Sequence, residues 1–121
     1  MTLIVPGPVV LDCPDPQALA GFYAATLDWE VGGDDDWAVA TGPAGWQLAF
    51  QRVDGYTPPR WPGQEQPQQF HLDFDVARAA IDEAERRVLG LGAELVQPDE
   101  PERAFRVYLD PAGHPFCLSL R

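Results

Sequence analysis

Apolar residues recur along this chain at two spacings. In "FHLDFDV", residues 70–76, Phe70, Leu72, Phe74 and Val76 alternate with His71, Asp73 and Asp75. That is the period of a strand with one packed face and one open face. In "PQALAGFYAATL" the spacing is helical, with Leu19, Phe22, Tyr23 and Leu27 on one side, Asp15 as cap and Pro16 at the first helical position. "ARAAIDEAERRVLGLG" carries an apolar stripe of Ala77, Ile81, Ala84, Val88 and Leu91. Asp82–Arg86 and Glu83–Arg87 stand as i,i+4 pairs on its wet side, and Gly90 and Gly92 end it. Short strands are predicted at 8–13, 30–31, 37–41, 46–53, 94–96, 105–109 and 116–120. The turns between them read "GGDDD", "GPAG" and "DPAGH", with "PDEPE" (98–102) a further solvated turn. Residues 55–69, rich in Pro and Gln and without a period, read as a connecting loop or flap.

The order is β-α-β-β-β, a loop, and β-α-β-β-β again. The letters repeat too: "PAGWQLAF" (43–50) lies over "PAGHPFCL" (111–118), and Leu11-Asp12 resembles Leu72-Asp73. This is the mark of a duplicated module. The expected fold is α+β, one domain over residues 1–121 with module one at 1–54, a loop at 55–69 and module two at 70–121. A single βαβββ unit leaves one face of its curved mixed sheet uncovered, and two such units can close a cleft.

Strand alternation then sorts the side chains. The apolar sets pack under the helices, with Trp46, Leu48 and Phe50 inward in module one and Phe116, Leu118 and Leu120 inward in module two. The opposite face, lining the cleft, takes Asp12, Gln47, Gln51, His71, Asp73, Arg106, Tyr108, Cys117 and Ser119, with Trp37 at its rim. Asp12 and Asp75 also read as helix caps, and Trp29 as a core residue. Trp61 in the loop reads as a cover for a ligand or a second subunit.

Charge narrows the partners. Nineteen acidic residues against eight basic ones give a net charge of −11, which repels nucleic acid and anionic membranes. No apolar run approaches the ~18 residues of a membrane helix. "MTLIVPGPVV" has no basic leader and is broken by prolines, which argues against a signal peptide. With only Cys13 and Cys117, the expectation is a cytoplasmic protein with reduced thiols.

Taken in order, "FYAATLDW", "FHLDFDV", "LGA" and "VYLDPAGHPFCL" resemble the vicinal oxygen chelate superfamily, in its glyoxalase-like and bleomycin-resistance-like branch. The resemblance covers nearly the whole chain and implies a homodimer. Metal-using relatives hold a divalent ion on the first and last strands of each module. Carried over, those positions fall on Pro8, Ala49, His71 and Cys117. Only His71 is a clear ligand and Cys117 a second candidate, short of the three that a catalytic divalent site needs. No cofactor is therefore expected, and a divalent metal is the alternative.

Two functions stay open. One is a protein that binds a small molecule in the cleft without metal; acidic charge and spare aromatics suit a cationic or flat ligand. The other is a metal-dependent enzyme acting on a substrate with adjacent oxygens, with His71 as ligand or general base. In either, Cys117 is read as a buried thiol rather than a nucleophile.

Overall fold

A computed structural model describes residues 3–97 and 104–121; the "PDEPE" stretch lies outside the described residues. The fold is α+β, with two four-stranded mixed sheets and two α-helices. Contacts divide the chain into two compact units, Met1–Tyr56 and Thr57–Arg121.

The first unit contains β1 (Val9–Cys13), α1 (Pro16–Leu27), β2 (Glu30–Gly33), β3 (Trp37–Thr41) and β4 (Gln47–Arg52), with sheet order β1-β4-β3-β2. β1 runs parallel to β4, and the other neighbours are antiparallel. Asp15 starts α1 in an extended conformation, its carboxylate accepting from Ala18 N at 3.2 Å. Asp28, at φ 60°, ends it in the left-handed region, and its N–H reaches back to the Ala24 carbonyl. The small residues Ala20 and Ala24 bring the helix close to the sheet, and Leu19, Phe22 and Tyr23 fill the space. Tyr23 stacks on Phe50 with ring centroids 5.8 Å apart. Trp29 is half-buried against Gly42, where a Cβ would collide with the indole. Trp46 departs from expectation. It is 68% exposed because β4 begins only at Gln47, leaving Trp46 in the turn rather than in the core.

The second unit repeats the plan with β5 (Leu72–Val76), α2 (Ile81–Gly90), β6 (Glu94–Gln97), β7 (Phe105–Leu109) and β8 (Pro115–Leu120), in the order β5-β8-β7-β6. α2 begins later than its apolar stripe implies, because a 3-10 turn takes Arg78–Ala80 and no side chain caps the helix. Asp75 is accordingly not a cap; it pairs with Arg121. Asp12 does not cap α1 either, since Asp15 does so. Asp82, itself largely exposed, pairs with the buried Arg106 at 3.0 Å, the first sign that this helix is held differently from α1. Phe70 precedes β5 and is exposed rather than packed under the helix. Among the described residues, no helix is long and apolar enough to cross a membrane.

The doubled "PAG" does the same job in both units. Gly45 (φ 79°) and Gly113 (φ 86°) each turn the chain in the left-handed region, two residues before β4 and β8 respectively. Aligning the turns makes Ala49 the counterpart of Cys117. The parallel registers Val10↔Ala49 and Asp73↔Cys117 then make Val10, not Asp12, the counterpart of Asp73. The likeness of Leu11-Asp12 to Leu72-Asp73 is therefore out of register by one pleat; Asp12 corresponds to Asp75.

Candidate functional site

The second unit holds a cavity of about 430 Å³ on the open face of its sheet, within the usual size of a small-molecule site. Three strands build the wall. β5 contributes Asp73, with His71 just ahead of it; β8 contributes Pro115, Cys117 and Ser119; β7 contributes Phe105 and Val107. The registers Asp73↔Cys117, Val107↔Cys117 and Phe105↔Ser119 put these side chains on one face. Trp61 and Gln68 complete the lining from the loop before β5.

That loop is fixed at its base. Arg60 N donates to the Gln66 carbonyl at 2.6 Å, closing a turn around the intervening residues. Pro58 sits on Gly113, where a Cβ would come within 2.7 Å of the Pro58 Cβ. Gly113 thus serves twice, turning the chain into β8 and letting the loop lie down beside it.

The wall carries both acceptors and donors, the acceptors being the Asp73 carboxylate and the Gln68 carbonyl oxygen, the donors the ring N–H groups of Trp61 and His71. Ser119 Oγ donates to Asp73 Oδ1 at 2.6 Å, so its proton is committed to the carboxylate. Gln68 Oε1 is buried and has no hydrogen-bond partner among the described residues. Cys117 is 6% exposed. Burial first, and the neighbouring Asp73 charge second, push its thiol up to about 11, so it stays protonated at neutral pH. All eight basic residues of the chain are arginines, and among the described residues none of them lines the cavity.

Each unit gathers part of the expected lining. His71, Asp73, Cys117 and Ser119 come together in this cavity. Trp37 and Gln51 share a different hollow of about 390 Å³ in the first unit, beside Asp36, Arg52 and Asp54. Asp12 neighbours Gln51 in the β1–β4 register, while Gln47 lies at the far end of β4 and bonds to Thr41 at 3.4 Å.

Arg106 and Tyr108 lie on the opposite, helix-facing side of β7 and line no part of the cavity. Arg106 reaches Asp82 at 3.0 Å and Glu85 at 3.3 Å, and Tyr108 donates to Glu85 at 2.9 Å. Burial, reinforced by the bond to Glu85, raises the pKa of the Tyr108 hydroxyl, which therefore stays protonated. Taking polar β7 residues to face the open side inverted that strand. Two signals in the sequence oppose that choice. The tight turn at 110–114 sets Val107 against Cys117, and Glu85 lies one turn after Ile81 on the inner side of α2, where a buried carboxylate needs a cation. Gln68 carries no periodic signal and was not legible.

Among the described residues no group of three His, Cys, Asp or Glu side chains could hold an ion, and the Cys117 thiol resists the deprotonation that ligation requires.

The sequence profile of the glyoxalase-like domain family matches residues 8–119. A search of curated proteins finds no match. Among solved structures, a glyoxalase/bleomycin resistance/dioxygenase family enzyme from Burkholderia phytofirmans aligns at TM-score 0.71 with 16% identity, covering 93% of this chain and 94% of its own. A glyoxylase/bleomycin resistance protein/dioxygenase domain from Frankia sp. aligns at 0.67 with 22% identity and 98% of each chain covered. The fosfomycin resistance protein FosX from Mesorhizobium loti aligns at 0.69 with 16% identity, covering 100% of this chain and 94% of its own. At such identities the likeness is one of fold.

Proposed function

This chain belongs to the glyoxalase-like domain family, and from that premise we propose that it binds a small molecule without a complete metal site, in the cavity on the open sheet face of its second module. One observation carries the reading: strands and loop of the second unit together line a cavity of small-molecule size. The wall combines aromatic and aliphatic surface from Trp61, Phe105, Val107 and Pro115 with a few polar atoms, the usual composition of a ligand pocket. Its acidic character and aromatic rim favour flat or cationic ligands.

Trp61 reports on occupancy. Titration with cationic aromatic compounds should change tryptophan emission in the parent protein, and Trp61→Ala should weaken binding roughly ten-fold. If no compound moves the emission, the binding reading fails.

His71 in the cavity wall favours a second reading, a metal-dependent lyase, isomerase or dioxygenase acting on adjacent oxygens. Elemental analysis separates the two. Stoichiometric metal that is lost in His71→Ala supports the enzyme, and metal-free protein with ligand affinity supports the binder. The proposal also includes a homodimer, supported by exposed Leu3, Ile4, Val5 and Val9, and a cytoplasmic setting, supported by two cysteines that are not joined in a disulfide. Light scattering that gives only the 13.3 kDa chain mass would remove the dimer.

A further inference from the structure

Most buried polar atoms in a folded protein have a partner, because an unpaired acceptor forfeits its bonds to water. Gln68 Oε1 is the exception among the described residues, and it belongs to a side chain that lines the cavity. Among the described residues the lining does not satisfy it: the Ser119 proton is spent on Asp73, the Cys117 S–H is a weak donor, the N–H groups of Trp61 and His71 make no hydrogen bond to it, and no arginine lines the cavity. The cavity lining therefore combines a buried acceptor and a carboxylate, with an aromatic ring on the same loop as the acceptor.

We propose that Gln68 is the specificity-determining residue of this cavity, its carbonyl oxygen accepting from an N–H donor carried on a flat, apolar ligand. Asp73 supplies the only carboxylate in the lining among the described residues and extends the preference to a cationic donor such as an amidinium, while the Trp61 and Phe105 rings meet the apolar body. Anionic ligands are rejected, because they would set one acceptor against another. This inference rests on the reading of the cavity as a ligand site.

Three probes of one size test it: benzamidine, toluene and benzoate. Binding is followed by nuclear magnetic resonance, on the Trp61 indole N–H (identified with Trp61→Phe) and on the backbone amides of residues 115–119. Benzamidine should bind roughly ten-fold or more tighter than toluene, and benzoate weakest. Gln68→Met keeps the length of the side chain and removes both polar ends; it should abolish the advantage of benzamidine and leave toluene unchanged or stronger. Gln68→Glu retains an acceptor and should bind benzamidine at least as well as the parent, which decides the matter if the Met variant does not fold. Equal affinities for the three probes, or an unchanged preference in Gln68→Met, would overturn the role of Gln68 while leaving the cavity a ligand site. If no probe, toluene included, moves any cavity signal, the ligand site itself fails. The melting temperature of the empty protein is an independent readout. Gln68→Met should melt no lower than the parent, because a buried acceptor without a partner is removed. A lower melting point would show that the oxygen is already satisfied and would overturn the proposal.

Discussion

The two modules share a topology and differ in what lies beneath their helices. Under α1 the space is dry, with Leu19, Phe22, Tyr23 and Phe50 all buried and Tyr23 stacked on Phe50. Under α2 the corresponding space holds ions. Arg106 sits between Asp82 and Glu85 and Tyr108 bonds to Glu85, beside aromatic packing like that of the first module, the Tyr108–Phe116 stack at 5.3 Å and the Phe74–Phe116 edge contact at 6.1 Å. The open faces differ in the same sense. Val10, Val39 and Ala49 of module one stand where module two has Asp73, Val107 and Cys117. Module one is apolar on the helix-facing side of its central strands and polar on the open side at Gln47 and Gln51, toward the ends of β4; module two carries polar groups on both sides. The same hydrogen-bonded ladder carries either set, so the ladder defines the fold and the face residues are free to define chemistry.

The largest expected difference lies in the dry core. Phe50→Ala should cost about 3–5 kcal/mol in chemical denaturation, since a wholly buried ring and its stack on Tyr23 are lost. A cost below about 1 kcal/mol would mean that this core is not close-packed. Next comes the ionic core. Arg106→Met should cost about 2 kcal/mol, below the figure for a fully buried pair because Asp82 remains largely solvated. Adding Glu85→Leu should return the protein to within about 1 kcal/mol of the parent, because the stranded carboxylate is removed with its partner. Additive losses in the double variant would break the contrast between the modules.

The smallest effect is on Cys117. Its thiol ionises near 9.0 when unfolded and at about 11 when folded, so the folded state holds the proton longer. Stability should be level up to about pH 9 and then fall by on the order of 1–2 kcal/mol toward about pH 11. Cys117→Ser lacks that slope. Alkylation by iodoacetamide at pH 8 should be slower than for a free thiol by roughly 100-fold, in proportion to the thiolate present. Fast alkylation would revive a nucleophilic Cys117.

How much of this was legible in the sequence depended on what produced each feature. The strands and helices follow from period and punctuation. The repeated "PAG" located the duplication because a left-handed glycine two residues before a strand is a requirement of the backbone. His71, Asp73, Cys117 and Ser119 were legible together because alternation in β5 and β8 is unbroken. β7 was read backwards because polarity was taken to mean an open face, whereas Arg106 is polar and buried by virtue of two carboxylates on α2. Trp46 was misassigned by one residue of strand, enough to move it from core to surface. Gln68 lies in a stretch where neither period nor charge constrains position, and only the fold of the loop shows that its oxygen is enclosed.

The ion cluster around Arg106 also has a thermal consequence. The penalty for stripping water from charged groups shrinks on heating, whereas stabilisation per unit of buried apolar area levels off. As temperature rises, the layer beneath α2 should lose relative strength more slowly than the layer beneath α1. The half of the molecule that carries the cavity would then be the half whose amides stay protected longest in a warm hydrogen-exchange experiment.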